Sequence, residues 1–464
     1  MTDAADALFQ NLESSFLLTK DGLAPIINGF LCEFKHGLKT PSKGLATMIP
    51  SFVTRLPNGT ETGTFLSLDL GGTNLRISAV ELLGNGKVRV SELKQSPSHE
   101  LKTGPGAAFF DWIADAVKEL VTCKARHLFS EAQVSGKETL SLGVCWSFPV
   151  DQTGVDRGTM LRMGKGFTLQ GIEGKDLADM FHQAFERKSL NVRVSAILND
   201  TVGTLVAHAY ANPKARMGLI FATGLNAAYP EKMELIEKLD PEMRASYPAN
   251  TEMLINTEID IFGSDKYLPL TKYDRILDAS HNQPGFQSYE KMLSGAYLGE
   301  LVRLIALDFI KLGALFDGVV PEGFGEAWSF PTATMSALEA KPLSPASLES
   351  TVEVLSKYHF VTTPTLQDMA ILTRICRIVA SRSAALASVA IISTLMQQNL
   401  HTGTGDIVVG VNGSTYEFYP HMEERVRRSL EEWFGKEVAN RIKLEIARDG
   451  GSIGGALVAM LYSN

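Results

Sequence analysis

The sequence predicts an α/β protein of two domains. Apolar, β-branched runs typical of buried strands alternate with helical segments, as expected when sheets and helices stack in layers. At 464 residues the chain exceeds the length over which a single hydrophobic core keeps growing, which favours two domains. Polar turns follow several of the apolar runs, and open α/β sheets bind their ligands beyond the carboxyl ends of strands. We find no internal repeat in the sequence.

The first part of the chain predicts two helices and then a β-hairpin. The helices cover residues 4–18 and 23–39, and a Pro/Gly loop around residues 57–59 ends the region. A strand-like run from Thr64 leads into the motif DLGGTN (residues 69–74), and a second strand-like run follows at residues 77–82. Two glycines between two strands describe a tight hairpin turn.

This turn has the composition of an anion-binding loop. Without Cβ atoms it can close its backbone N–H groups around an anion, and Thr73 and Asn74 add polar contacts. Asp69 stands where it could hold Mg²⁺ through water, and Arg76 where it could face phosphate oxygens. An ordinary Gly-Gly hairpin with a surface arginine is the alternative.

The motif NDTVGT (residues 199–204) directly follows an apolar run at residues 192–198 that predicts a buried strand. A carboxylate just beyond such a strand has a rigid support at the end where α/β sheets bind ligands. Asn199 can donate and accept hydrogen bonds and Asp200 can accept a proton, which suits the binding and deprotonation of a polyol. An Asn-Asp pair before a helix is also a common N-cap, and this segment alone does not decide between the two.

Three further polar turns follow in the second half of the chain. Residues 222–229 (ATGLNAAY) come after an apolar strand, and residues 411–415 (VNGST) come after another and before a helix. Each of these has a plain alternative as a strand-to-helix loop. Residues 449–456 (DGGSIGGA) precede a short apolar terminal helix. None of these turns matches the Walker or the Rossmann glycine pattern.

Taken together and in order, the motifs resemble those of the eukaryotic hexokinase family. DLGGTN is followed by SFP (147–149), KGF (165–167), NDTVGTL, TGxNAxY (223–229), NTE (256–258), QxxEKMxSGxYLGE (287–300), a glycine–serine turn and DGG. The resemblance covers nearly the whole chain from about residue 44 and includes the segment at 48–53. It implies the two-domain hexokinase fold of the actin-like ATPase superfold, with a sugar cleft between a small and a large domain.

The resemblance also implies a role for each matching residue. Asp200 is expected to be the general base that takes the proton of the sugar 6-hydroxyl, with MgATP as the phosphoryl donor. The sugar-binding positions are Ser147, Lys165, Asn199, Asn226, Glu258 and Glu290. The nucleotide-binding positions are Asp69, Gly71, Gly72, Thr73, Asn74 and Arg76 in the first phosphate loop, Thr223 in the second, and Gly413 and Ser414 at the adenosine. Asp69 is also the expected Mg²⁺ residue, through water.

The resemblance implies domain boundaries as well. Residues 1–63 form helices that pack on the large domain, residues 64–198 the small domain, residues 199–449 the large domain, and residues 450–464 a helix that returns to the small domain. Closure of the domains over the sugar is expected to exclude water, a competing acceptor. Residues 240–252 and 329–347 are predicted to be surface excursions.

Several positions depart from the family pattern. Gly164 stands where the family has Thr, and Ile259 replaces the Trp of its NxEW motif, both at positions that border the family's hexose site. With these departures, the sequence resembles a divergent fungal branch of the family that includes N-acetylglucosamine kinases and non-catalytic regulatory proteins. We expect the freed volume to favour N-acetylglucosamine over glucose. The alternatives are a kinase of glucose, or a sugar sensor, which the changed turns at Ala222, Asn412 and Gly451 favour.

The composition limits which classes of binding partner and which cellular location are expected. A net charge of −8 gives no electrostatic footprint for nucleic acid. The longest apolar stretch, residues 384–396, is too short to cross a membrane and predicts a buried helix. No secretory signal pattern is visible and the four scattered cysteines fit reduced thiols, so a cytoplasmic location is expected. The expected partner is a hexose or amino-sugar substrate, and whether a regulatory protein also binds is left open.

Overall fold

The computed structural model describes residues 3–41, 46–71, 74–161, 163–164, 166–263, 266–340 and 342–463. The strands are β1 (Ile49–Pro50), β2 (Thr62–Leu70), β3 (Leu75–Leu83), β4 (Val88–Gln95), β5 (Leu140–Trp146), β6 (Val150–Gly154), β7 (Arg157–Met160), β8 (Val192–Leu198), β9 (Ala215–Phe221), β10 (Leu225–Lys232), β11 (Glu252–Asn256), β12 (Ile407–Asn412) and β13 (Ile442–Ile446).

The helices are α1 (Asp3–Phe16), α2 (Lys20–Lys39), α3 (His99–Thr103), α4 (Gly106–Glu119), α5 (Glu131–Val134), α6 (Leu177–Arg187), α7 (Asp200–Ala211), α8 (Pro241–Ser246), α9 (Lys272–Ser280), α10 (Ser288–Leu293), α11 (Leu298–Lys311), α12 (Thr332–Glu339), α13 (Leu348–Glu353), α14 (Leu366–Gln397), α15 (Ser414–Phe418), α16 (Met422–Phe434), α17 (Lys436–Arg441) and α18 (Gly455–Leu461). Single 3₁₀ turns lie at Arg126–Leu128, Met233–Leu235, Ile259–Ile261, Phe316–Gly318, Pro345–Ser347 and Leu400–Thr402, and π-helical turns at Leu120–Lys124 and Gly450–Gly454.

Two large sheets organise the molecule, which confirms the predicted α/β class. One sheet has the strand order β4-β3-β2-β5-β8, and the other has the order β1-β11-β10-β9-β12-β13. In each sheet a hairpin, β2–β3 or β9–β10, is extended by an antiparallel strand on one side and by two parallel strands on the other. Five strands of each sheet therefore repeat one topology, although the sequence shows no repeat.

The helix that follows the last parallel strand of each sheet packs on the opposite sheet. Helix α7 follows β8 and contacts β9, β10, β11 and β12, whereas α18 follows β13 and contacts β2, β5 and β8. The two chain segments cross at three glycines, which we call the glycine crossing: Gly203, Gly450 and Gly454. A Cβ on Gly203 would lie 2.6 Å from the Gly450 carbonyl oxygen, and one on Gly454 would lie 2.2 Å from the Gly203 carbonyl oxygen. Only glycine permits this approach.

The buried side chains form three clusters. One surrounds α14 and the six-stranded sheet and includes Phe9 of α1 and Phe30 of α2, and another lies between the five-stranded sheet and helices α4 and α6. The third joins the sheets through α7 and α18, with Leu198, Leu205 and Leu457 among its members. Because burial of apolar surface is the main stabilising term in folding, this third cluster ties the two sheets together.

The apolar helix predicted at residues 384–396 is the second half of a longer helix, α14. The helix spans 32 residues, because its first half alternates apolar and polar residues and continues the same helix. By length and composition it could cross a membrane, but 89% of its most apolar window is buried inside the protein, as in a core helix. Arg382 within it is fully buried and pairs with Asp274 at 2.7 Å. The predicted burial is therefore confirmed and the predicted length is wrong.

The remaining local predictions had mixed outcomes. The strand at residues 192–198 and the hairpin at DLGGTN are confirmed, and residues 240–252 contain no buried residue. The plain alternative for residues 222–224, a strand-to-helix loop, is wrong, because they connect β9 to β10. Residues 329–347 are not a surface excursion, since Met335 and Leu338 of α12 are buried in the core. The domain boundaries stay a prediction.

Candidate active site

Three groups of predicted site residues lie along one edge of the five-stranded sheet. Strands β2, β5 and β8 are adjacent and parallel, and they are followed by Gly71, Ser147 and Asn199. Asp69 pairs in register with Cys145, which pairs in turn with Leu198. Because neighbouring strands are about 4.8 Å apart, the acid of β2 and the end of β8 are separated by roughly 10 Å. The edge thus brings together the first phosphate loop, the SFP motif and the Asn-Asp pair.

Asn199 and Asp200 occupy the junction between β8 and α7. Asn199 is the N-cap of α7, and its Oδ1 accepts a hydrogen bond from the Thr201 amide at 2.8 Å. Asp200 is the first residue of the helix and is partly exposed, and its Oδ1 accepts from the Thr201 hydroxyl at 3.3 Å. A helix N-terminus favours the ionised carboxylate. The N-cap alternative therefore holds for Asn199, which leaves Asp200 as the candidate general base.

Strand β2, which leads into the first phosphate loop, packs against the π-helical turn Gly450–Gly454. A Cβ on Gly451 would lie 2.7 Å from Oδ2 of Asp69, and the Ser67 hydroxyl donates to the Gly451 carbonyl at 3.0 Å. Asp69 and Arg76 are directly opposite each other on β2 and β3, so they share one face of the sheet. The Gly71 amide donates to the Asn74 carbonyl at 3.2 Å and closes the turn. The loop residues Gly72 and Thr73 lie outside the described residues.

The second phosphate turn and the predicted adenosine loop lie at the matching edge of the six-stranded sheet. Strands β9, β12 and β13 are parallel there, and Ala222, Gly413 and Ala447 follow them. The Thr415 hydroxyl donates to the Ala222 carbonyl at 2.6 Å. Gly413 has a φ of 141°, and a Cβ on it would lie 2.3 Å from the Phe221 carbonyl oxygen. The two turns are therefore in direct contact.

The remaining nucleotide positions are placed as follows. The carbonyl of Thr223 accepts from the Ala296 amide at 3.1 Å, and Ser414 is the first residue of α15. An open depression of about 540 Å³ lies beyond this helix and is lined by α15 and α16 residues, among them Tyr416 and Arg427. Within the described part of the chain, none of the predicted sugar-binding residues lines this depression.

The predicted sugar-binding residues Asn226 and Glu258 are joined by a third residue, Asn256. The Asn226 amide nitrogen donates to Oδ1 of Asn256 at 2.9 Å and to Oε1 of Glu258 at 3.4 Å. The Asn256 amide nitrogen donates to the same Glu258 oxygen at 2.6 Å. Asn256 lies within the NTE motif, but the prediction assigned only the glutamate of that motif. These side chains fix one another before any ligand binds.

Glu290 joins the sugar site to the second phosphate turn. Its Oε2 accepts from the Leu225 amide at 2.9 Å, and a Cβ on Gly224 would lie 2.6 Å from the same oxygen. A carboxylate is an acceptor only and can take several donors at once, so Glu290 is suited to the hydroxyl groups of a sugar. The structure thus places Glu290, Asn226 and Glu258 around the start of β10.

Ser147 and Lys165 belong to the SFP and KGF segments. The Ser147 amide donates to the carbonyl of Leu70 at 3.3 Å, which ties the SFP motif to the strand that carries Asp69. Lys165 lies outside the described residues. Helix α7 links the residues of this sheet to those of the six-stranded sheet, since Asp200 begins the helix and its body packs on β9 and β10.

The two departures that motivated the N-acetylglucosamine expectation have different surroundings. Gly164 is exposed, and a Cβ placed on it would meet no atom of the described residues within 4 Å. Ile259, in contrast, is completely buried and belongs to the main hydrophobic cluster. The expectation that Ile259 frees volume beside the sugar is therefore not supported, because its side chain points into the core.

Two family models, both described as hexokinase, match residues 8–210 and 216–461. The chain is 34% identical to Hexokinase-1 of Schizosaccharomyces pombe, across 97% of this chain and 90% of that one. The chain belongs to the hexokinase family. Glucokinase of Aspergillus niger is 32% identical, across 94% of this chain and 93% of its own length.

Solved hexokinase structures agree with this assignment along the whole chain. The hexokinase from Schistosoma mansoni, complexed with glucose, has a TM-score of 0.79 at 32% identity and covers 98% of this chain and 99% of its own. A further hexokinase crystal structure has a TM-score of 0.85 at 29% identity, covering 99% and 100%. The two-domain hexokinase fold is thus confirmed, and the family acts as ATP- and Mg²⁺-dependent hexose kinases.

Proposed function

We propose that this hexokinase transfers the γ-phosphoryl group of MgATP to the 6-hydroxyl of a hexose, with Asp200 as the general base. The observation that carries the proposal is the shared sheet edge. Asp69 lies near the end of β2, and Asp200 follows the end of β8; these two parallel strands are roughly 10 Å apart, with β5 between them. The turn Gly450–Gly454 contacts both segments, so the acid of the phosphate loop and the base have a fixed relation.

The reaction is a direct displacement. A carboxylate oxygen of Asp200 takes the proton of the sugar hydroxyl as that oxygen attacks the γ-phosphorus. The new P–O bond forms as the bond from the γ-phosphorus to the bridging oxygen breaks, and ADP leaves with that electron pair. This transition state needs positioning and charge neutralisation more than covalent assistance. The backbone amides of the two phosphate turns and the hydroxyl of Thr223 are suited to supply part of that neutralisation.

The residues present suit a hydrated Mg²⁺ ion. Asp69 is partly exposed, although its neighbours Leu68 and Leu70 are fully buried. A Cβ on Gly71 would meet no atom of the described residues within 4 Å. Mg²⁺ bound there neutralises charge on phosphate oxygens. Asp69 is the residue that we propose to hold it, through water.

We propose glucose as the sugar substrate. The relatives include a glucokinase and a structure complexed with glucose, and the cluster of Asn226, Glu258 and Glu290 offers acceptors to a sugar with several hydroxyl donors. N-acetylglucosamine is the second candidate, because Gly164 leaves open space where the family has a larger side chain. A methyl-sized mismatch changes the preference between two substrates by about 1–3 kcal/mol.

A coupled assay of ADP release tests the proposal on glucose, fructose, mannose, glucosamine and N-acetylglucosamine. We expect turnover with glucose and a lower kcat/KM with N-acetylglucosamine. The reverse order would replace glucose by the second candidate, and Gly164→Thr should then shift the preference back toward glucose. Calorimetry that detects sugar binding but no nucleotide binding, with no ADP release from any sugar, would favour a sugar sensor instead.

A further inference from the structure

One buried acid of the sugar site has no role in the scheme above. Asp260 lies two residues after Glu258 in the 3₁₀ turn Ile259–Ile261, and only 6% of its surface is exposed. Its Oδ2 accepts from Nε2 of Gln287 at 2.5 Å. Its Oδ1 is buried and has no hydrogen-bond partner within the described structure, although the backbone amides of Asp260 and Ile261 face the carboxylate and partly offset the rise in its pKa. A buried carboxylate oxygen without a partner is costly, so an acid retained here calls for an explanation.

The hydrogen bond between Asp260 and Gln287 connects two strained turns. Glu258 precedes the 3₁₀ turn with a φ of 48°, and Gln287 precedes α10 with a φ of 56°. Left-handed backbone at a residue other than glycine costs free energy, and such strain persists where surrounding contacts determine it. One turn begins with Glu258 and the other leads to Glu290. The bond therefore ties together the two loops that carry the sugar-site carboxylates.

Asp260 lies close to a second acid, Glu290, and both influence Tyr297. Burial, followed by the negative charge of Glu290, raises the pKa of Asp260 to about 7. Tyr297 faces the same two acids, and burial together with their charges raises its pKa to about 12, so it stays neutral. Two like charges in one buried site favour the binding of a proton to one of them. A proton on Asp260 removes its repulsion of the Glu290 carboxylate.

We infer that Asp260 is a positioning residue of the sugar site, which holds Gln287 and thereby fixes the turn that orients Glu290. The inference rests on the sugar-binding role proposed for Glu290. In this scheme Asp260 acts through Gln287, whose Nε2 donates to its Oδ2, and not on the sugar directly. It acts on substrate affinity and leaves proton abstraction to Asp200.

The first test measures KM and kcat for the hexose, and its affinity by calorimetry, in Asp260→Ala, Gln287→Ala and the double variant. We expect each single substitution to raise KM by up to about tenfold, the effect of losing one buried hydrogen bond, with kcat changed less than about threefold. Because both residues act through one bond, the double variant should be no worse than the weaker-binding single variant. Asp260→Asn keeps an acceptor oxygen for Gln287 and should restore most of the lost affinity.

The second test is the pH profile of KM, which a merely structural role would not move. Between pH 6 and 8.5 Asp260 loses its proton beside Glu290, and the repulsion should loosen the two turns. We expect the wild-type KM to rise by about threefold or more over this range, while that of Asp260→Asn stays flat. Glu33→Gln is the matched control, and its KM should follow the wild-type pH profile. Glu33 accepts a hydrogen bond from the Gly263 amide at the far end of the same loop, and burial also raises its pKa.

The outcomes separate this inference from the proposed function. An unchanged KM in Asp260→Ala, or a flat wild-type profile, would overturn the positioning role. Should Asp260→Ala fail to fold, the profile of Asp260→Asn decides alone. Glu290→Gln tests the role beneath it: an unchanged sugar affinity there would remove Glu290 from the site. Weaker binding in Glu290→Gln with no effect at Asp260 would contradict only the inference about Asp260.

Discussion

The two sheets share one topology, yet the junction after the last parallel strand differs between them. In the five-stranded sheet, β8 leads into a regular helix whose first residues, Asn199 and Asp200, present polar side chains. In the six-stranded sheet, β13 leads through Asp449, with a φ of 51°, into the π-helical turn Gly450–Gly454. The first junction, residues 199–200, presents functional side chains, and we call it the side-chain junction. The second, residues 449–454, brings its glycine backbone close to other segments, and we call it the glycine junction. The difference shows how one repeated framework supplies two unlike parts of a site.

The glycine junction explains how the side-chain junction is held. Because Gly450 and Gly454 lack side chains, the π turn reaches the backbone of α7 next to Gly203 and also approaches Asp69 through Gly451. Backbone segments in such close contact cannot shift easily relative to one another, because protein interiors are packed as densely as organic crystals. The base and the phosphate loop are thus positioned by backbone contact. Asn226 and Glu258 are positioned by hydrogen bonds between side chains, and Glu290 by one from the Leu225 backbone amide.

The largest expected effect comes from the side-chain junction. Asp200→Asn keeps the shape of the side chain but cannot accept the proton, so kcat should fall by about 10² to 10⁴ while sugar affinity measured by calorimetry changes little. Asp449→Asn is the matched control at the other junction, where it should leave kcat within about threefold. Equal losses in the two variants, or near-normal turnover in Asp200→Asn, would break the comparison.

The next largest effect is expected at the glycine junction. Gly451→Ala places a methyl group 2.7 Å from the Asp69 carboxylate, which must then move. A displacement of about 1 Å can cost about 100-fold, so we expect kcat to fall by about 10- to 100-fold with the sugar KM nearly unchanged. Gly405→Ala is the control, because a Cβ there would meet no atom within 4 Å. If the two variants had the same kcat, backbone contact would not be what positions Asp69.

For the sugar-binding residues, in contrast, we expect substitutions to change KM more than kcat. Glu258→Gln keeps the size of the side chain but loses hydrogen bonds to a charged acceptor, which are worth about 1.5–3 kcal/mol each. We therefore expect KM for the hexose to rise by about 10- to 100-fold with a small change in kcat. Glu242→Gln, at an exposed position of α8, is the control. A fall in kcat at constant KM would place Glu258 in the transition state instead.

The smallest effect concerns stability. The pKa of Asp260 is raised from its ordinary 3.8 to about 7, so the folded state binds its proton more tightly than the unfolded state. Stability from this group is thus present at low pH and is lost as pH rises from about 4 to about 7. Asp260→Asn should raise Tm by about 2 °C or more at pH 8 and less at pH 5. A shift of the same size at both pH values would show that Asp260 does not titrate.

The elements that the sequence predicted well have local causes. The strand at residues 192–198 is an apolar, β-branched run, and the structure gives it those same bounds. The hairpin at Gly71 follows from two glycines between two strands. At residues 222–224 the plain alternative of a loop into a helix was wrong, because the residues that follow pair with β9 and β11. That pairing is decided by partners distant in sequence.

The parts of the site that the sequence missed depend on long-range contacts. Gln287 and Asp260 are 27 positions apart, and neither belongs to a pattern that marks a pair. Gly203 and Gly450 occur in separate motifs, and nothing in either motif shows that they meet. Ile259 illustrates the opposite error, since a change of residue type was assigned to the cleft although the side chain lies in the core.

The cysteines provide a direct way to follow the two halves of the molecule. Cys145 and Cys376 are buried, while Cys32 and Cys123 are exposed free thiols. Cys32 lies on α2, which packs with the six-stranded sheet, and Cys123 lies in the π turn after α4, beside the five-stranded sheet. Spin labels attached to the unmodified protein would therefore report on one position in each half. The distance between them, with and without hexose, measures any relative movement without a single substitution.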